Sequence, residues 1–137
     1  MSQEYSAATI AHFTEPRNVG AVEDPDGKGS DANPSCGDRT TITIRLRDGR
    51  VEAARFRTFG CTAAIAAASV LTELAIGRTA DEAATIDPGD LIRVLGGLPT
   101  RKEACALMAV GALRAALIDA KVKESSASIQ AAKATGG

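Results

Sequence analysis

Thr40-Thr41-Ile42-Thr43-Ile44-Arg45-Leu46-Arg47-Asp48-Gly49-Arg50-Val51, running on through Phe56 and Phe59 to Gly60-Cys61, is the stretch that decides the fold. Thr40 to Arg47 alternates with a period of two. Ile42, Ile44 and Leu46 share one face, and Thr43, Arg45 and Arg47 the other, which is the pattern of a half-buried strand. Asp48-Gly49 suits the two positive-φ positions of a type I′ turn, so Val51 to Phe59 is read as the returning strand. After Gly60-Cys61 the period becomes helical. Thr62 to Ile76 is alanine-rich, Ile65, Ser69, Thr72 and Ile76 recur at three and four, and Gly77 stands where a C′ residue belongs.

Outward from this core the signals are weaker. Tyr5, Ile10 and Phe13 among alanines predict an N-terminal helix closed by Glu15-Pro16. From Arg17 to Asp38 glycine, proline, aspartate and asparagine predict irregular or weakly stranded backbone. Thr79-Ala80-Asp81-Glu82 is a capping-box pattern, and Asp87-Pro88 starts another short helix that Gly96-Gly97 ends. Leu107, Val110, Leu113 and Leu117 mark the expected buried stripe of a last helix from about Lys102 to Lys123. Residues 1–123 are thus read as one domain. The tail from Glu124 to Gly137 carries no pattern and is expected to be frayed and disordered.

The chain has 137 residues, 45% of them hydrophobic and 24% charged, which fits one globular domain and not a disordered segment. A formal net charge of −1 provides no excess for a polyanion, so nucleic acid is not an expected partner. No apolar run approaches the ~20 residues of a membrane span. Met1 to Tyr5 lacks the basic and apolar regions of a secretory signal, and a cytoplasmic location is expected.

Three cysteines, an odd number, do not make a disulfide framework. Buried structural thiols are one reading, since free cysteine is among the most buried residue types. Their positions suit a converging site better. Cys36 lies in the loop Pro34-Ser35-Cys36-Gly37-Asp38, Cys61 at a strand-to-helix junction, and Cys105 in the first turn of the last helix. A helix N-terminus, with Arg101 and Lys102 nearby, is expected to lower a thiol's pKa, and thiolates are what metals bind. Gly37 permits a tight turn that aims Cys36 and Asp38 at one centre, and three thiolates plus one carboxylate complete a tetrahedral sphere. The intervals between cysteines are too long for a zinc ribbon or a ferredoxin pattern, so the fold must assemble the site.

His12-Phe13-Thr14-Glu15-Pro16-Arg17-Asn18-Val19-Gly20, Cys36-Gly37-Asp38, Arg55-Phe56-Arg57-Thr58-Phe59-Gly60-Cys61, and Leu98-Pro99 before Cys105 closely resemble the IscU/NifU-type iron–sulfur cluster assembly scaffolds. The resemblance runs from about Tyr5 to Ala120. It implies an α+β, IscU/SufE-like two-layer domain with a three-stranded antiparallel sheet covered by helices. By the same resemblance Cys36, Cys61 and Cys105 accept sulfur from a cysteine desulfurase and hold iron in a nascent [2Fe–2S] cluster destined for apo-proteins. Asp38 matches the family aspartate whose weak ligation keeps the cluster labile, as a hard carboxylate should. A monomer or a cluster-linked dimer fits this role.

The chain departs from the family at two places. Many relatives carry histidine before the third cysteine, where this chain has Ala104; its only histidine, His12, is assigned a capping or packing role over a ligand role. Relatives served by a dedicated Hsp70-type chaperone carry Leu-Pro-Pro-Val-Lys where this chain has Leu98-Pro99-Thr100-Arg101-Lys102, which counts against that partner. The short Cys61–Cys105 interval argues against the zinc-bound SufU-type branch, and the tail lacks the extra cysteines of a full-length NifU.

Three functions compete. The first is a cluster scaffold, a carrier and not an enzyme. The second is a zinc-bound persulfide acceptor with a sulfurtransferase-like relay role. The third, a structural zinc domain, is disfavoured because this core should not need a metal to fold. The glycine pairs lack Walker or dinucleotide spacing, and one histidine in a helix makes a Cys–His–Asp hydrolase a poor fit. Arg45, Arg47, Arg55 and Arg57 are read as a solvated sheet face in preference to a docking surface.

Overall fold

The computed structural model describes residues 5–33 and 37–135, with side chains as far as residue 126. In chain order the elements are α1 (Ala7–Thr14), β1 (Gly27–Asn33), β2 (Asp38–Arg47), β3 (Arg50–Phe59), α2 (Thr62–Ala75), α3 (Ala80–Ala84) and α4 (Pro88–Val94). A single 3-10 turn (Thr100–Lys102) then leads into α5 (Glu103–Thr135). The strands form one antiparallel sheet in the order β1-β2-β3, and α2 and α5 pack on it, giving an α+β domain of two layers.

The hairpin forms for the reasons its sequence suggests. Asp48 and Gly49 have φ of 53° and 76°, the two positive values a type I′ turn needs. The register pairs Ile42 with Phe56 and Ile44 with Ala54, and these side chains, with Val51, are no more than 2% exposed. A register shift between Arg45 and Leu46 ends the strict alternation, and Leu46 is only half-buried. Both short helices carry the expected caps: Thr79 and Glu82 form a capping box on α3, and Asp87 and Asp90 another on α4.

β1 falls where the sequence predicts irregular or weakly stranded backbone. Its seven residues, Gly-Lys-Gly-Ser-Asp-Ala-Asn, have poor strand propensity, so its place must come from packing. A Cβ on Gly27 would lie 2.1 Å from the Ala116 carbonyl oxygen, and one on Gly29 would lie 2.2 Å from the Ala116 nitrogen. Backbone therefore lies on backbone: α5 presents Ala112, Ala116 and Ala120, and the strand presents no side chain at its two closest points.

The segment before β1 covers the open side of the sheet. Val19 forms a parallel bridge with Phe56; the Gly20 N–H donates to the Phe56 carbonyl at 2.8 Å, and the Phe56 N–H to the Asn18 carbonyl at 3.0 Å. The Val22 N–H then donates to Thr43 Oγ1 at 2.8 Å, beneath the face opposite the helices. For this reason Thr43, assigned by alternation to solvent, is buried, and Arg45 is half-buried with its guanidinium donating to the Glu23 carbonyl. Arg47, Arg55 and Arg57 are exposed, and Arg47 pairs with Glu52 at 3.3 Å.

α5 differs from its sequence reading in two ways. Val110, Leu113 and Leu117 are buried as expected, but Leu107 is 62% exposed, and the rest of the buried stripe is mostly small: Cys105, Ala106, Met108, Ala109, Ala112, Ala116 and Ala120. The helix also does not stop at Lys123. Residues 124–135 hold no glycine or proline and consist largely of good or tolerable helix formers, so the backbone continues as helix to Thr135, although Lys121 to Ser126 are exposed.

Gly29→Ala should lower stability by about 1–3 kcal/mol or more, because a methyl group there can be accommodated only by lifting α5 off the strand. Ser30→Ala, on the exposed neighbouring position, should stay within about 0.5 kcal/mol of the parent. Urea unfolding followed by circular dichroism measures both, and equal stabilities would show that the β1–α5 contact is looser than described.

Candidate metal centre

Three elements bring their ends together at one edge of the sheet. Asp38 opens β2, Cys61 follows β3 as the N-cap residue of α2, and Cys105 lies in the first turn of α5. The register explains the first pairing: Arg39 lies opposite Phe59, so the residues just beyond, Asp38 and Gly60, become neighbours. A Cβ on Gly60 would stand 2.8 Å from Asp38 Cγ, so a missing side chain makes room for the carboxyl group. N-cap positions favour Ser, Thr, Asp or Asn, whose oxygens cap the helix. Cys61 makes no side-chain capping bond, and its sulfur turns to the site.

The ligand atoms of Asp38, Cys61 and Cys105 all lie within 4.8 Å of one another, with the two sulfurs 3.7 Å apart. Access differs between them. Asp38 and Cys61 are half-buried, whereas Cys105 is 4% exposed and sits in a small apolar cluster with Ala63, Ala64 and Met108, against which Tyr5 and Leu98 also pack. Cys36, expected from the sequence to be the third sulfur ligand, lies outside the described residues. Gly37 beside it has φ of 77°, and its N–H donates to the Asn33 carbonyl at 2.8 Å, so the turn before Asp38 uses glycine's freedom.

The electrostatics correct the sequence reading. A helix N-terminus and adjacent cations were expected to lower the Cys105 pKa. Burial wins instead and pushes the thiol up to about 12, with Cys61 and Asp38 adding to the rise and Lys102 opposing it. Lys102 is held above the usual lysine range, first by Cys61 and then by Tyr5. This lysine belongs to the site, and the sequence reading used it only as a nearby charge. The signal that finds it is spacing: Lys102 ends a 3-10 turn three residues before Cys105, and residues three apart lie on one side of such a turn.

Two other positions are settled by their surroundings. Ala104 is exposed at the start of α5. His12 is away from the sulfurs: its Nδ1 is 2.8 Å from Ser69 Oγ and its Nε2 is 3.5 Å from Glu73, so it fastens α1 to α2. One buried and one half-buried soft sulfur beside a half-buried carboxylate form a donor set suited to iron or zinc.

Residues 4–127 match the family model described as the NifU-like N terminal domain. The chain is 49% identical over 115 residues to "Iron-sulfur cluster assembly scaffold protein IscU 1" of Archaeoglobus fulgidus, covering 84% of this chain and 75% of that protein. It is 41% identical over 123 residues to the IscU scaffold protein of Escherichia coli strain K12, covering 87% of this chain and 95% of the relative. Among solved structures, the N-terminal part of a NifU-like protein from Brucella abortus superposes with a TM-score of 0.74 at 19% identity, over 88% of this chain and 96% of that one, a likeness of fold. With the domain model spanning nearly the whole chain and IscU scaffolds this similar in sequence, the protein belongs to the NifU-like N-terminal domain family of iron–sulfur cluster assembly scaffolds.

Proposed function

We propose that this chain holds a labile [2Fe–2S] cluster while it is built from iron and desulfurase-derived sulfur, and then passes it to apo-proteins. The observation that carries the reading is the convergence of Asp38, Cys61 and Cys105 from three separate elements to within 4.8 Å, with Asp38 and Cys61 half-buried and Cys105 buried. Iron and the cluster are cargo here. Cys36, Cys61 and Cys105 are the sulfur ligands in this proposal. Asp38 is the exchangeable fourth, because a carboxylate competes poorly with thiolate for such a cluster. Ala104 has no donor atom, so the aspartate, water or a partner's side chain must fill the position that an imidazole holds in many relatives. The cysteine desulfurase and the recipient apo-proteins must approach from the side of the half-buried Asp38 and Cys61. A carrier used this way works in the cytoplasm as a monomer or as a cluster-linked dimer. The second reading, a zinc-bound relay of persulfide, rests on the same donor set, which suits zinc equally well.

Anaerobic incubation with a cysteine desulfurase, cysteine and ferrous iron separates these readings. A scaffold should develop the visible absorption of a cluster; protein that gains only persulfide and retains zinc is a relay. Serine at Cys61 or Cys105 should abolish stable cluster and zinc binding while circular dichroism stays native. A variant that retains full metal content removes that cysteine from the ligand set. Asp38→Ala should lose its cluster to a chelator more slowly than the parent, and faster loss would contradict the exchange role. Gly60→Ala should displace the Asp38 carboxyl group and reproduce much of that phenotype, which the same chelator assay reads.

Metal binding should also be pH-dependent. The Cys105 thiol, raised to about 12, keeps its proton at neutral pH and must give it up to a metal. Zinc affinity should therefore rise with pH, by about tenfold per unit for each proton displaced. Competition titrations from about pH 6 to about pH 8, with proton release followed calorimetrically, test this. A flat profile would mean that Cys105 does not ligate.

A further inference from the structure

Cys61 Sγ and Cys105 Sγ are 3.7 Å apart, the separation of touching but unbonded sulfurs. The two are not equivalent. Cys61 is half-buried at the mouth of the site and a sulfur donor can reach it; Cys105 is 4% exposed and lies behind it on α5. Such a pair has the arrangement of an accessible thiol backed by a resolving thiol.

A cluster contains sulfide, whereas a desulfurase hands over sulfur at the oxidation level of a persulfide. Each sulfur atom therefore needs two electrons before it can enter the cluster. Resting on the sulfur-accepting role proposed above, we infer that Cys61 and Cys105 supply those electrons themselves, as a persulfide-reducing pair. Sulfur arrives on Cys61 as Cys61–S–SH. Cys105 gives up its proton as its sulfur attacks Cys61 Sγ, the inner sulfur, through the thiol–disulfide exchange route. The Cys61–Cys105 S–S bond forms as the bond to the outer sulfur breaks. The outer sulfur leaves with that bond's electron pair and takes up the proton given up by Cys105, so hydrogen sulfide departs. The two cysteine sulfurs are oxidised by two electrons in total, and the departing sulfur is reduced by two. A small dithiol or a dithiol protein then reduces the disulfide and returns both thiols for cluster binding. Sulfide production and cluster holding use the same two residues and so must alternate.

The test loads the reduced, metal-free, full-length protein under anaerobic conditions with one equivalent of persulfide and no added reductant. One arm uses a cysteine desulfurase with cysteine, and the other glutathione persulfide. Released sulfide is quantified, and intact and peptide masses are recorded. The parent should release about one sulfide per sulfur accepted and end two hydrogens lighter, with the peptides of Cys61 and Cys105 joined. Cys105→Ser and Cys105→Ala should instead retain the extra sulfur on Cys61 and release sulfide at least about tenfold more slowly. Cys36→Ser is run beside them to test whether that residue resolves the persulfide instead. Thermal unfolding checks that each variant is folded, and two substitutions at Cys105 guard against one that is not.

Parent protein that keeps a stable persulfide, or sulfur found on Cys105, overturns the inference. So does loss of sulfide release in Cys36→Ser but not in the Cys105 variants, because Cys36 would then be the resolving thiol. Sulfide release with glutathione persulfide but not with the desulfurase supports the pair while counting against the desulfurase as partner. Uptake from neither donor overturns both.

Discussion

The distance at which α5 rests on β1 governs the rest of the molecule. Helices normally stand off a sheet by the thickness of their side chains, but here Gly27 and Gly29 let the Ala112–Ala120 stretch of α5 lie against strand backbone. α5 carries Cys105 about two turns before the start of that contact, and β1 precedes β2, which Asp38 opens. A helix set farther out would carry its sulfur away from Cys61, since the ligands share no local knuckle that could follow it. The alanine-rich stripe of α5 and the alanines of α2 serve the same end. Small side chains bury little apolar area each, but they allow backbones to approach closely and fix their spacing.

The site sets burial against charge. The helix N-terminus and Lys102 favour a thiolate at Cys105, while burial in the apolar cluster with Ala63, Ala64 and Met108 favours the thiol. For Cys105 burial is the larger effect, and the thiol is pushed up. A bound cation would reverse that balance, because it would replace the proton and supply the charge that burial opposes.

Much of this could be read from the residues, and the exceptions share a cause. The hairpin, the Gly77 stop, the capping box at Thr79 and the helix start at Asp87-Pro88 announce themselves because local rules decide them. The convergence of two cysteines and Asp38 was legible too, from their places at element boundaries and from the family motifs around them. β1 was not, because what holds it is a close approach of backbones, and glycine carries no hydropathy signal. Thr43 and Arg45 were misassigned to solvent because alternation cannot foresee a segment that passes under the sheet. Leu107 was assigned inward because its size suggested burial, when alanines occupied the stripe. The sign of the Cys105 shift went wrong for a related reason: sequence shows the charges near a thiol but not the depth at which it lies.

The chain from Ser6 to Val22 touches four parts of the fold in turn. Ser6 donates to the Leu95 carbonyl at the end of α4, His12 reaches Ser69 on α2, Val19 pairs with β3, and Val22 bonds Thr43 beneath the sheet. The hydrogen bonds on β3 occupy groups that would otherwise form a bare strand edge, a template for pairing with another chain. One consequence concerns solubility during synthesis. Residues 18–20 leave a ribosome before β3 does, so they can occupy the backbone groups of Phe56 as soon as the hairpin forms and leave that point of the edge unavailable to another strand.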